Sequence, residues 1–165
     1  MINDFGSFSL SELSSGVPFE GTKGAGIWYD PSRDIAWLVL CQMTETKPTS
    51  VWLGEDDRMQ AAAHLDESGR ILSVAIGEAS RHLPPYVMLA GDRHEVRIVS
   101  SEERDLMQVL LCSDISSEGA TALTMLSDAV DSSIHFVRDS SSMLFAVIVE
   151  PASKLAHPSV LPWLE

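Results

Sequence analysis

The chain of 165 residues and 18.0 kDa has the length of one ordinary domain. Its composition, 45% hydrophobic and 21% charged, excludes collagen-like, low-complexity and fully disordered proteins. Twenty-four acidic against 11 basic residues give a net charge of −13, so phosphate backbones repel the chain and nucleic acid is not an expected partner.

No apolar run approaches the length of about 20 residues that a membrane-spanning helix needs. The N-terminus does not have the pattern of a secretory signal, and two cysteines cannot form a disulfide framework. We therefore expect a cytoplasmic protein with no membrane partner.

The segment up to residue 85 predicts an arm followed by paired strands. Residues 1–25 show no sustained hydrophobic period, and we expect a loosely ordered N-terminal arm. Residues 26–42 predict a β-hairpin, because two apolar segments flank the turn sequence that contains Pro31. Residues 59–66 and 71–77 predict two further strands around a turn at 67–70, and a short helix is expected from Glu78.

The segment from residue 86 onward predicts a second set of similar elements. Residues 159–165 are apolar but limited by proline, and we expect an extended C-terminal tail. The predicted strands lie near 95–100, 106–113, 120–126, 133–138 and 143–149, followed by a turn or helix at 151–156.

An internal duplication is indicated by two offsets. At an offset of 71, residues 34–41 align with 105–112, so that Cys41 meets Cys112, and the same offset aligns His64 with His135. At an offset of 73, residues 71–76 align with 144–149, which assigns the inserted residues to the turn at 66–70.

The fold class that follows is α+β, mainly antiparallel β. A first repeat at 26–85 and a second at 86–158 are expected to pair about a pseudo-twofold axis and to share one core, since a single copy of about 60 residues is marginal alone.

The first repeat resembles a bacterial family of small proteins catalogued as domain of unknown function 2283. The resemblance is carried by Tyr29-Asp30-Pro31, by residues 34–40 and by residues 65–81. It implies a hairpin, an acidic turn leading into a strand and an Ala-Ser segment that opens a helix, and it implies no catalytic residues. The second repeat departs from this pattern, with Val99-Ser100-Ser101 where the first has Tyr-Asp-Pro.

Several side chains are candidates for chemistry or binding, each with a structural alternative. His64 and His135 could face one central pocket as acid–base groups, or could be ordinary buried or surface residues. Cys41 and Cys112 could lie close enough for a disulfide or a shared metal, but small buried side chains are the expected role. The tryptophans Trp28, Trp37 and Trp52 could bind a ligand or partner, or fill the core. The acidic residues Glu55, Asp56 and Asp57 could bind a hard cation, or form a solvated surface, and no metal or cofactor is expected.

The function that these features favour is a non-enzymatic, acidic interaction module that binds a basic protein partner. The alternative is a small cofactor-independent enzyme of the lyase, isomerase or cyclase type, with its pocket between the repeats. A purely structural subunit that forms a homo-oligomer is a third hypothesis.

Overall fold

The computed structural model describes residues 25–40, 49–55, 60–88, 93–111, 121–127, 130–139, 141 and 143–155. The expected N-terminal arm, apart from Ala25, and the expected C-terminal tail lie outside these residues.

The first sheet has six antiparallel strands in the order β3-β4-β5-β2-β1-β6. The predicted hairpin is confirmed as β1 and β2, and the next predicted pair as β4 and β5. The bounds are β1 Gly26–Asp30, β2 Ile35–Val39, β3 Thr49–Glu55, β4 Gln60–Leu65, β5 Ile71–Gly77 and β6 His94–Glu95.

The second sheet has five antiparallel strands in the order β7-β8-β11-β10-β9. Its strands are β7 Arg97–Ser101, β8 Leu106–Leu110, β9 Thr121–Ser127, β10 Val130–Arg138 and β11 Leu144–Glu150. The expectation of a mainly antiparallel β protein is therefore confirmed.

Helical structure is limited to three short segments among the described residues. These are two 3-10 helices, η1 Ala79–Arg81 and η2 Pro85–Val87, and one short α-helix, α1 Ala152–Leu155. None of the described helices has the length and apolar character needed to cross a bilayer.

In two hairpin turns, one in each sheet, an aspartate side chain accepts backbone N–H groups from across the turn. In the β4–β5 turn, Asp66 Oδ1 accepts the backbone N–H groups of Ser68 at 2.8 Å and Arg70 at 2.9 Å. In the β10–β11 turn, Asp139 Oδ1 accepts those of Ser141 at 2.8 Å and Met143 at 3.0 Å. The two turns have equal length, so the prediction that the inserted residues lie at 66–70 is wrong.

Both sheets contribute one face to a single hydrophobic core. Alternate residues of β4 (Ala61, Ala63 and Leu65) enter it from the first sheet, and alternate residues of β10 (Ile134 and Phe136) enter it from the second. The sheets are also joined by a hydrogen bond from Leu144 N–H to the His82 carbonyl, at 2.7 Å, and by one from Arg70 Nη1 to the Ser153 carbonyl, at 2.9 Å.

The two sheets differ on their outer faces, which point away from the shared core. Most of the outer face of the first sheet is buried, at Ile35, Trp37, Val39, Ala62, His64, Ser73 and Ala75, although Trp28 is half-buried. Most of the outer face of the second sheet is half-buried, at Leu106, Gln108, Leu110, His135, Val137 and Ile148, although Ala146 is buried. The first sheet is thus largely buried on both faces, whereas the outer face of the second sheet is more accessible to solvent.

Candidate functional site

The three candidate tryptophans occupy one cross-strand row of the first sheet. Trp28 of β1 pairs with Trp37 of β2, which pairs with Ala75 of β5. Ala75 pairs in turn with Ala62 of β4, whose neighbour on β3 is the backbone of Trp52. Since directly paired residues share a face, Trp28, Trp37 and the two alanines lie together on the outer face of the first sheet.

The guanidinium of Arg33 covers this row at Trp37. Its Cζ lies 5.1 Å from the centroid of the Trp37 ring, within the range of a cation–π contact. Its Nε donates to Asp30 Oδ2 at 2.7 Å. The Trp37 side chain is only 3% exposed, so Trp37 stabilises the sheet by burial and does not offer a free surface.

His64 lies on the same outer face, one row away, at a fully buried position of β4. Its Nδ1 is 2.5 Å from Oγ of Ser73, the residue that faces it on β5. A buried imidazole with a hydroxyl partner can be held in one tautomer and orientation, which suits a structural role.

His135 lies on the outer face of the second sheet, where its Nε2 is 2.8 Å from Glu150 Oε1. Its neighbours along β10, Ile134 and Phe136, point into the core. The two histidines are therefore on different sheets, and both point away from the space between them. The expectation that they face one central pocket is wrong.

The Asp34 side chain, in the β1–β2 turn, accepts three hydrogen bonds and connects two distant segments of the chain. Its Oδ1 accepts the Tyr29 hydroxyl at 2.8 Å and the Ser80 N–H at 2.9 Å, and its Oδ2 accepts the Ser80 hydroxyl at 2.6 Å. The Asp34 carbonyl also accepts the N–H of Ala79. This contact joins the hairpin turn to the start of η1, which is 46 residues away in sequence.

The electrostatics of the Asp34 cluster follow from these contacts. Burial alone would raise the pKa of the Asp34 carboxyl, but the hydrogen bonds from Ser80 and Tyr29 outweigh it and hold that pKa below its usual value. Burial, together with the hydrogen bond to the Asp34 carboxylate, raises the pKa of Tyr29 to about 12. The cluster therefore holds a stable carboxylate and a stable phenol, not a general base near neutrality.

Asp105, in the β7–β8 turn, makes the same contacts in the second sheet. Its Oδ1 and Oδ2 accept the N–H and hydroxyl of Ser153 at 2.7 and 2.5 Å, and its carbonyl accepts the N–H of Ala152. Asp34 and Asp105 both adopt a left-handed backbone, with φ of 54° and 51°. An arrangement that recurs at a second turn, where no tyrosine hydroxyl contributes, indicates that the aspartate holds the turn against the start of the helix.

A buried histidine that the sequence did not single out lies at the end of η1. His82 is 5% exposed, and burial, aided by the nearby charge of Arg81, lowers the pKa of its imidazole. Its backbone carbonyl accepts the N–H of Leu144 from the second sheet. In the sequence, the apolar residue Leu83 beside it is the one sign that His82 is buried.

The remaining candidates cannot be assigned a geometry. Cys41, Cys112, Asp56 and Asp57 lie outside the described residues, and of Glu55 only its place at the end of β3 is described. Within the described ranges, no group of three or more His, Cys, Asp or Glu side chains is arranged to hold a metal ion.

Comparison with known proteins adds no relative. No family model matches the sequence, and no curated protein or solved structure is significantly similar to it. The resemblance to domain of unknown function 2283 stays a prediction.

Proposed function

We propose that the two sheets are the halves of a tandem duplication related by a pseudo-twofold axis. The support is the recurrence of unusual local structure: a left-handed aspartate bound to a serine at a helix start, and an aspartate that closes a turn of fixed length. A β-bulge after His64 in β4 likewise recurs after Val137 in β10. Because each of these features is uncommon alone, their shared order favours a common origin.

The strand pairings give this duplication a register. Ile27↔Leu38 matches Ile98↔Val109 at an offset of 71, and Ala63↔Val74 matches Phe136↔Val147 at an offset of 73. The β3 pairing matches that of β9 at 72. The extra residues then fall on both sides of β9, and Val137, not His135, corresponds to His64.

We propose that the protein is a non-enzymatic, cytoplasmic binding module whose partner is a basic protein. Three of its arginines are occupied by ion pairs within the chain: Arg33–Asp30, Arg81–Glu78 and Arg93–Glu95. Glu67, Glu102 and Glu103 stay exposed at turns, and the whole chain carries −13. A surface of this sign attracts a cationic partner from a distance and repels anionic ones.

The chemistry of the described clusters also supports binding over catalysis. The hydrogen bonds of Asp34, Asp66, Asp105 and Asp139 go to backbone N–H groups and to side chains that hold turns and helix starts. The two histidines of the enzyme hypothesis do not share a pocket, so that hypothesis loses its site.

The experiment is capture of partners on the immobilised full-length chain at low and high ionic strength. We expect proteins of high isoelectric point that elute as salt is raised, because Coulomb attraction between exposed charges is screened. A captured protein is then purified and titrated against the wild type and against a Glu102→Gln/Glu103→Gln variant, with Arg81→Gln as a control that removes a positive charge. The proposal would be contradicted if the affinity for the captured protein changed neither with salt nor in either variant.

A further inference from the structure

Strand β7 forms one edge of the second sheet. Among the described strands, β7 pairs only with β8, through the register from Arg97↔Leu110 to Ser101↔Leu106. Val99, at its centre, is 39% exposed and is one of two exposed large hydrophobic residues in the described part of the chain. An edge of this kind presents backbone N–H and C=O groups that can accept another strand.

The corresponding edge of the first sheet already accepts a strand. There, β6 adds to β1 through Gly26↔Glu95 and Ile27↔His94. Gly26 and Ile27 are buried beneath this addition, whereas Arg97 on β7 is exposed and Ile98 is half-buried. The same type of edge is thus paired with a strand in one sheet, whereas in the other no described strand pairs with it.

The charges around β7 are arranged for pairing with a second copy of itself. Arg97 lies at one end of the strand, and Glu102 and Glu103 follow directly after its other end, with Arg104 next in the turn. If two β7 strands pair antiparallel about Val99, residue 97 of each copy faces residue 101 of the other. Each Arg97 then approaches the acidic pair beyond Ser101 of the opposite copy.

We propose that two copies of this chain form a symmetric dimer through antiparallel pairing of their β7 strands, centred on Val99. The contact is isologous, so it closes at two copies and joins the two second sheets into one continuous sheet. Main-chain hydrogen bonds and the Val99 pair supply affinity, and the Arg97–Glu102 attraction sets the antiparallel direction. This dimer does not depend on the proposed binding of a basic partner.

The test is sedimentation equilibrium of the full-length chain over a dilution series. We expect reversible association to twice the monomer mass. Val99→Lys and Arg97→Glu are each expected to weaken the dimer about tenfold or more, because they set like charges opposite each other. Combining Arg97→Glu with Glu102→Lys and Glu103→Lys should restore association, since the attraction is rebuilt with opposite signs.

A matched control is Tyr86→Ser, which removes the other exposed large hydrophobic side chain and should leave the dimer unchanged. Circular dichroism of each variant establishes that its fold is intact. Monomer mass at every concentration, assembly beyond two copies, or a dimer unaffected by Val99→Lys and Arg97→Glu would overturn the proposal.

Discussion

At the scale of single residues, the structure turns on carboxylates that accept several hydrogen bonds at once. Asp34 illustrates the balance: burial disfavours its charge, yet three donors from Tyr29 and Ser80 favour it more. A carboxylate held in this way links two segments that are far apart in sequence and fixes their relative position.

The first prediction concerns the Tyr29 phenol, which burial and the hydrogen bond to Asp34 hold in its protonated form. In a Tyr86→Phe variant, Tyr29 is the one tyrosine left in the chain. The phenolate absorbance should then rise with a midpoint pKa of about 12, above the ordinary value of 10.0. Adding Asp34→Ala should lower this midpoint, because both the hydrogen bond and the negative charge are lost. A midpoint near 10 while the circular dichroism is still native would contradict the contact.

The second prediction compares the two left-handed aspartates. Asp34→Ala and Asp105→Ala should each lower the free energy of unfolding by about 1–3 kcal/mol, since charged hydrogen bonds to a serine are lost and alanine is placed at positive φ. The asparagine variants should lose less, because asparagine tolerates this backbone and keeps one acceptor. Urea unfolding measures both pairs, and a large loss at only one site would argue against equivalent roles.

The positions and contacts of these residues are predictable from the sequence only in part. The turn sequence that contains Pro31 is predicted correctly, and Asp30 and Asp34 lie on either side of that turn. The contact between Asp34 and Ser80 was not predictable, because it joins positions that only the completed sheet brings together. The prediction that His64 and His135 share a pocket failed for the same reason. Two histidines that align in the sequence do not show which face of which strand each of them occupies.

At the scale of elements, β6 is the shortest strand, and its position depends on a close approach to Gly26. A Cβ on Gly26 would overlap Cγ of Arg93 and lie 2.6 Å from its Cδ. The Arg93 side chain therefore crosses β1 at the one place where β1 has no side chain, and β6 adds to β1 beside it.

The third prediction tests this crossing. Gly26→Ala should destabilise the protein by about 1–3 kcal/mol, as expected when a packed position is overfilled. Arg93→Ala removes the clashing side chain and with it the ion pair to Glu95, which as a largely exposed pair contributes little to stability. The double variant should therefore recover most of the loss, and strict additivity of the two changes in urea unfolding would contradict the crossing.

Strand prediction succeeded where turn signals were strong and failed where they were weak. Pro31 and Gly69 marked the β1–β2 and β4–β5 turns, and both pairs form as expected. Strand β3 was not predicted, although Val51-Trp52-Leu53 is a short apolar run, because such a run has no period of its own. The break at Val96 that divides β6 from β7 was also missed, since the strand changes sheets there without a proline or glycine.

At the scale of the whole molecule, the two sheets are joined at a point that contains a buried histidine. Around His82 lie Arg81, Glu78, Arg138 and Asp34, and burial lowers the pKa of its imidazole below the ordinary 6.5. The unfolded chain therefore binds this proton more readily than the folded chain.

The fourth prediction is a loss of stability in acid, in two steps. As pH falls from 6.5 towards the lowered pKa of His82, unfolding becomes easier because the unfolded state takes up a proton first. A second loss follows below pH 3.8, as Asp34 is protonated through its lowered pKa. In urea unfolding across pH, His82→Gln should diminish the first step, whereas an unchanged profile in this variant would contradict the assignment.

Because the outer face of the first sheet is more deeply buried than that of the second, the two sheets should tolerate substitutions differently. A substitution on the outer face of the first sheet, at Ala62 or Ala75, must fit an interior that is already filled, whereas one at Gln108 or Val137 meets water on one side. Evolutionary drift should therefore accumulate in the later half of the gene. New side chains can therefore arise on the outer face of the second sheet while the contact between Asp105 and Ser153 is kept.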